Sequence, residues 1–393
     1  MTANYQQTKG NVKKGEDFEK LVNELQNRQS KDPYAAKQQA KASAMSVQVS
    51  PPKLHKFDDD EVDKEIESLN MNFNKIKQGT APQSVISVGS DHKSQTVGVI
   101  DFKKTKARYD LSDFEVKARL GSGAFGSVYL VKLLENPDLV FAMKVISKQS
   151  IFTQNLVKYA KTERDVLALS DHNFIVKMYF AFQNTRNVFL LLEYCPGGDL
   201  GKVLKKERKF SEEVAKIYVC EVLLALEYLH SKGVMYRDLK PDNIMVDHFG
   251  HVKLVDFGLS KLNVDEGYSS TSFLGTHAYL APEILQNRNY GKSVDWYNLG
   301  VLMYEFLVGV PPYYSDNIDK LYENIKTGAI QFPRSMSLDA RDLISKLMIR
   351  NPMTRLGFNG AQEIKEHPFF ADVEWSNYEK RLPDGNYADI FPP

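Results

Sequence analysis

Cysteine is nearly missing from this chain: there are two in 393 residues. Cys195 and Cys220 each sit inside an apolar run with no metal-ligand spacing around them. Such usage fits a reduced interior better than a secreted disulfide scaffold, and it offers no cysteine-based zinc site. Long apolar runs are missing too. None approaches the roughly 18 residues of a membrane span, and the polar N-terminus has no signal-peptide core. Thr2 follows Met1, so the glycine needed for myristoylation is absent. Nor is there an excess of either charge: 51 Lys and Arg against 50 Asp and Glu leave +1, giving no whole-protein argument for nucleic acid or an anionic membrane. The expectation is a soluble cytoplasmic chain, with the nucleus as the alternative compartment.

Aromatic residues are scarce before residue 110, where 26–49 and 78–95 are rich in Gln, Ser, Lys and Ala. That composition argues against a packed core, so residues 1–110 are expected to be a largely disordered extension. Two islands interrupt it. Phe18, Leu21, Val22 and Leu25 have one-face helical spacing, and Val62, Ile66, Leu69, Phe73 and Ile76 step 4-3-4-3 behind Asp58–Asp60. Both read as short amphipathic helices laid on the neighbouring domain. A partner-docking coiled coil is the alternative, but the repeat is shorter than the three or four heptads it needs.

What is plentiful comes later. From residue 111 the pattern tightens, and 42% apolar content is enough for one large or two ordinary domains. Segments 114–120, 127–132, 140–146 and 187–194 read as strands, and 155–169 as a helix. After Gly197-Gly198 the pattern turns helical: 211–230 starts at a Ser-Glu-Glu cap, and 292–308 and 337–347 follow. The fold class is therefore α+β and bilobal: a small β-rich lobe at 111–195, a larger α-helical lobe at 196–370, and a short extension at 371–393. Ligand clefts favour such a junction.

The residues that carry chemistry lie along both lobes. Gly121-Ser-Gly123-Ala-Phe-Gly126-Ser-Val128 falls between two strands, where missing Cβ atoms let backbone N–H groups approach phosphate oxygens. A tight hairpin gives the same letters. A strand rather than a helix afterwards argues against a dinucleotide fingerprint. Lys144 lies among apolar residues on the third strand, which is costly unless anions meet it; nucleotide phosphates and Glu163 are the candidates, and a lysine snorkelling from a strand edge is the plainer alternative. Tyr236-Arg-Asp238-Leu-Lys240-Pro-Asp-Asn243 is followed thirteen residues later by Asp256-Phe257-Gly258. Asp238 is placed to accept a proton from an attacking hydroxyl, Lys240 to neutralise charge on a transferred phosphoryl group, and Asn243 and Asp256 to offer oxygens to Mg²⁺. Taken singly, each is an ordinary turn residue.

Taken in order, Gly121/Gly123/Gly126, Lys144, Glu163, Asp238/Asn243, Asp256-Phe257-Gly258 and Ala281-Pro282-Glu283 resemble the eukaryotic protein kinase family over residues 114–370. Tyr236, Lys240, Ser272-Phe-Leu-Gly-Thr276 and Asp295-Trp296 are similar to the AGC group of Ser/Thr kinases, which includes the cyclic-nucleotide-dependent kinases. The resemblance implies an ATP- and Mg²⁺-dependent protein Ser/Thr kinase. It implies that Leu120, Val128, Ala142 and Met245 sandwich the adenine, that Leu192 is the gatekeeper, and that 193–195 is the hinge, with Glu193 and Cys195 on the nucleotide. Leu167, Met178, Tyr236 and Phe257 would form a stack linking the lobes. Thr276 would contact Asp238 and Lys240, and Glu283 would pair with Arg355.

The same resemblance makes Ser272 the activation-loop phosphosite, with Thr271 its neighbour, an upstream kinase as activator, and Arg237 and Lys261 as phosphate partners. Asp199, Asp242 and Glu305 would read arginines N-terminal to the target hydroxyl in protein substrates, Asp199 also bordering the nucleotide site. A solvated acidic face is the plainer alternative. Departures from the family pattern are Leu274 before Gly275, His277-Ala278 after Thr276, and the absence of the group's long C-terminal tail, whose groove the N-terminal helices are expected to fill. A scaffolding pseudokinase is the rival class, but the base, the metal ligands and the strand lysine are all in place. A small-molecule phosphotransferase is the third reading, disfavoured by the 275–283 peptide platform.

Overall fold

In the computed structural model, residues 86–87, 98–99, 109, 111–123, 126–153, 156–262 and 276–380 are described. The two expected N-terminal helices, Thr271, Ser272, Leu274 and residues 381–393 lie outside these. A two-residue antiparallel ladder pairs Ile86–Ser87 with Gly98–Val99, inside the stretch whose composition argued against structure.

The small lobe is one antiparallel sheet. Strands β1 (Phe114–Gly123), β2 (Gly126–Leu133), β3 (Asn136–Ser147), β4 (Met178–Gln183) and β5 (Asn187–Glu193) lie in the order β1-β2-β3-β5-β4. Alternation along β3 sorts its side chains. Phe141 and Met143 join Val131, Leu133, Phe189 and Leu191 in a core on one face, while Ala142 joins Leu190 and Leu192 in the larger core that continues into the other lobe. Helix α1 (Lys148–Thr153) follows β3 and was not expected; α2 (Val157–Leu169) matches the helix expected at 155–169, with Leu156 at its N-cap.

The large lobe opens with the short strand β6 (Gly198–Asp199) and α3 (Leu200–Glu207), then α4 (Glu212–Ser231). Ser211 caps α4, its hydroxyl accepting from Val214 N–H at 3.4 Å, as the Ser-Glu-Glu signal predicts. Strands β7 (Ile244–Val246) and β8 (Val252–Leu254) form a small sheet in the order β8-β7-β6. The helices α5 (Pro282–Leu285), α6 (Ser293–Val308), α7 (Ile318–Thr327), α8 (Leu338–Leu347), α9 (Gln362–Lys365) and α10 (Trp375–Lys380) complete the lobe. From Ser293 to Tyr304 every residue of α6 is buried, as expected of a helix that others pack around on all sides. No helix among the described residues is long and apolar enough to cross a membrane.

Helix α10 ties residues 371–380 back onto both lobes. Trp375 packs on Phe370 at 5.3 Å between ring centroids, and Lys365 Nζ lies over the indole. Asn173 Nδ2 donates to Glu379 O at 2.9 Å.

Candidate active site

Three strands of the small lobe form its roof. The β1–β2 hairpin closes at Gly123 opposite Gly126, so the glycine run is a hairpin as well as a candidate phosphate cradle. Gly126 has φ +149, and a Cβ there would lie 2.0 Å from Val145 O, so only glycine fits. A Cβ at Gly121 would meet nothing within 4 Å, which leaves its backbone open to a ligand. Register places Val128 opposite Lys144 and Leu130 opposite Ala142, so Val128, Ala142 and Lys144 share one face. Leu120 stands at the mouth, 39% exposed.

Lys144 is buried, and its ammonium donates to Glu163 Oε1 at 2.5 Å across to α2. Its Nζ also lies 3.7 Å from Asp256 Oδ1. Burial works against the ammonium, but Glu163 and then Asp256 more than offset it, holding the Lys144 pKa above the ordinary lysine value. Burial acts on Glu163 in the opposite sense, raising its pKa against the attraction of Lys144. We read the pair as charged, because the two groups satisfy each other at hydrogen-bond distance.

The floor is the loop that enters β7. Asp295, fully buried on α6, accepts from Tyr236 N–H at 2.9 Å, Arg237 N–H at 2.8 Å and His230 Nε2 at 2.7 Å. That carboxylate pins the backbone immediately before Asp238. Arg237 has φ +70 and Asp256 φ +57, left-handed conformations that cost roughly 1–3 kcal/mol each and concentrate at functional sites. Asp238 Oδ2 accepts from Lys240 Nζ at 2.8 Å and Asn243 Nδ2 at 2.7 Å, and Oδ1 accepts from the Thr276 hydroxyl at 3.3 Å. Lys240 Nζ also donates to Thr276 Oγ1 at 3.0 Å. One carboxylate is thus held from three sides.

Asp256 differs. Its Oδ1 is buried and accepts no hydrogen bond from the described residues, a costly state for a carboxylate oxygen. Asn243 Nδ2 is engaged by both Asp238 O and Oδ2, which leaves the amide oxygen as its remaining donor atom for a cation. A carboxylate oxygen without a hydrogen bond, together with the Asn243 amide oxygen, suits Mg²⁺, which is commonly held by one or two protein carboxylates with substrate phosphates supplying the rest. No group of three or more His, Cys, Asp or Glu lies together as a cage among the described residues.

With that geometry in view, comparison with known proteins is direct. The protein kinase domain family matches residues 114–370. The chain belongs to the protein kinase family. It is 41% identical over 291 residues to cAMP-dependent protein kinase type 3 of Saccharomyces cerevisiae, covering 74% of this chain and 72% of that one. It is 45% identical to serine/threonine-protein kinase sck2 of Schizosaccharomyces pombe over 72% of this chain and 44% of that one. Ribosomal protein S6 kinase alpha-6 of Homo sapiens is 42% identical over 71% of this chain and 38% of its own length. The kinase is of the AGC Ser/Thr type, and the match spans less than half the length of the latter two relatives.

Other site residues of the kinase fall as follows. Leu167, Tyr236 and Phe257 are buried in one core, with Met178 packed against it and the Tyr236 and Phe257 rings 5.3 Å apart. The Glu193 side chain turns away from the cleft: Oε1 pairs with Lys253 Nζ at 2.9 Å and Oε2 accepts from Lys177 N–H at 3.2 Å. That leaves only its backbone for a nucleotide. Cys195 is buried beside it. Met245 lies on β7, opposite Asp199 and Lys253 in the small sheet. Asp199 caps α3, accepting from Lys202 N–H at 2.8 Å. A Cβ at Gly201 would lie 3.1 Å from Asp242 Oδ1 and 3.3 Å from Asp199 Oδ1, so these two acids converge. Glu305 accepts from the Tyr279 hydroxyl, and its pKa is raised by burial, with the Asp242 charge adding to the effect. Arg237 donates to Leu259 O at 2.7 Å, Ser260 O at 3.1 Å and Tyr290 Oη at 3.2 Å.

Sequence reasoning assigned no role to Asp295 or Lys253. An acid inside the apolar run 293–308 was the available signal, since a carboxylate there must find donors. Lys253 sits between Val252 and Leu254 and carried the same signal.

Proposed function

We propose that this chain transfers the γ-phosphoryl group of ATP to Ser or Thr hydroxyls of proteins carrying basic residues near the target, with Ser272 phosphorylation as its switch. The observation that carries the reading is a pair of side-chain clusters, Glu163–Lys144–Asp256, which spans the two lobes, and Thr276–Asp238–Asn243 in the large lobe.

Lys144, held by Glu163, presents its ammonium to nucleotide phosphates, while the open backbone at Gly121, Gly123 and Gly126 approaches them from above. Leu120, Val128, Ala142 and Met245 provide an apolar slot for the base, with the backbone of 193–195 along its edge. Asp238 accepts the proton of the attacking hydroxyl, and Thr276 and Asn243 keep its carboxylate aimed. Lys240 places a positive charge where negative charge develops on the transferred group. Asn243 and Asp256 would hold Mg²⁺, which neutralises phosphate charge when bound. Turnover for such a site is roughly 1–100 s⁻¹.

Asp199, Asp242 and Glu305 form an acidic wall beside the catalytic loop, which supports a preference for arginine upstream of the hydroxyl. The guanidinium of Arg237, within reach of residues 259–260, supports phosphate capture by an ordered activation segment. The test is labelled ATP with an Arg-containing Ser peptide and its Arg-free analogue, against Asp238→Asn. Incorporation that requires Mg²⁺, collapses in the variant and favours the Arg peptide is the expected result. Incorporation equal in wild type and variant would sink the catalytic assignment, and equal rates on the two peptides would sink the specificity.

A further inference from the structure

Helix α3 is electrically lopsided. Its N-cap is Asp199, beside Asp242 and paired with Lys202 in the first turn, and its far end carries Lys205, Lys206, Arg208 and Lys209 against Glu207 alone. All five cations are exposed, in a chain whose formal charge is only +1. Lys202 pairs with Asp199 at 2.7 Å and Lys206 lies 3.7 Å from Glu207. Lys205, Arg208 and Lys209 have no acidic partner among the described residues.

These cations stand on a fixed base. Leu200 and Leu204 anchor α3 in the core, and Phe210 N–H donates to Phe306 O at 2.7 Å directly after the patch. Gly309 packs so closely that a Cβ would lie 2.1 Å from Arg208 O. A rigid cationic surface loses little freedom when it binds, which favours use as a docking site. From Asp199 to Arg208 the helix advances roughly 13 Å at 1.5 Å per residue. An extended peptide covers that distance in about four residues.

We propose that the basic end of α3 docks an acidic segment of the protein substrate, about four residues beyond the arginines held by the acidic wall. The proposal rests on the kinase reading and deepens its substrate class: substrates are bipolar, basic near the hydroxyl and acidic farther upstream. An anionic membrane is the other partner for such cations. The acidic wall of Asp199, Asp242 and Glu305 beside the patch would repel it, whereas a peptide of alternating charge matches both.

The experiment uses the full chain with three peptides: a short Arg-containing Ser peptide, and the same peptide extended upstream by either an Asp/Glu block or a Gln/Ser block of equal length. Charge-pair contributions at exposed sites predict a KM about tenfold lower for the acidic extension than for the neutral one, shrinking as salt rises. Lys205→Gln/Arg208→Gln/Lys209→Gln removes the advantage while kcat and KM for the short peptide stay unchanged. Reversing the three charges to Glu makes the acidic extension the worse substrate. Equal KM for the two extensions, or an advantage that survives in the triple variant, overturns the proposal. So does sedimentation with phosphatidylserine vesicles that depends on the three cations while the acidic extension gives no advantage. The short peptide assayed with Asp238→Asn reports separately on the kinase reading.

Discussion

Consider replacing Glu283 by Gln. Arg355 is 1% exposed, and both its terminal nitrogens are spoken for by that carboxylate, Nη1 to Oε1 at 2.7 Å and Nη2 to Oε2 at 2.9 Å. The same guanidinium donates to Ile349 O at 2.9 Å and Ser293 O at 2.9 Å and lies over the Tyr297 ring at 5.1 Å. Glu283 thereby ties α5 to the start of α6 and to the chain after α8. Breaking a buried pair by removing one partner costs about 3–5 kcal/mol, because a charge is left uncompensated. Glutamine keeps one acceptor, and the backbone carbonyls, Arg350 O at 3.4 Å among them, and the ring remain, so the lower end, about 3 kcal/mol, is expected for Glu283→Gln. At about 2–4 °C per kcal/mol for a domain of this size, Tm falls by roughly 6–12 °C. Glu283→Ala, with no acceptor left, falls toward about 5 kcal/mol. The double replacement Glu283→Met/Arg355→Met costs less than either single change predicts by addition, since no unpaired charge survives. Urea unfolding followed by fluorescence measures all of these. A Glu283→Gln unfolding free energy within about 1 kcal/mol of wild type would refute the reasoning, as would a double variant as damaged as the summed singles.

Two further outcomes follow from the cleft. Asp256→Asn removes an oxygen that accepts no hydrogen bond from the described residues and one of the two carboxylates facing Lys144, so kcat falls by at least about a hundredfold and the Mg²⁺ requirement rises, while Glu163 still pairs the ammonium and stability changes by less than about 1 kcal/mol; a variant that loses several times that stability contradicts this. Glu305 has its carboxyl pKa raised, so as pH falls it loses its negative charge before an ordinary glutamate does. The advantage of an Arg peptide over an Arg-free one should therefore shrink on mild acidification, and Glu305→Gln should show the reduced advantage at neutral pH with little further pH dependence. A pH series of kcat/KM on both peptides checks it.

Much of this was legible in residue order. The strand periods at 127–132 and 140–146 survive in β2 and β3, and the Ser211 cap sits where its letters predicted. Lys144 announced a buried anion because an apolar strand punishes an unpaired ammonium, and Glu163 met it. Helix α1 was missed because six residues are too few to show a helical period. The outward turn of Glu193 onto Lys253 was missed because both partners lie in strands whose approach depends on how the lobes meet.

By itself, then, the order of residues determined the kind of chemistry available: one loop carboxylate, one strand lysine, two side-chain oxygens proposed for a metal and a glycine hairpin, each with a strong local requirement. Only the tertiary structure decided which atoms share a carboxylate, that Asp295 pins the loop before Asp238, that Asp256 keeps an oxygen without a hydrogen bond, and that α3 sets its charges at opposite ends beside the cleft. The physical reason is range. Caps, turns and alternation are settled within a few residues, whereas pairings across 38, 58 or 72 positions exist only once distant segments are packed together.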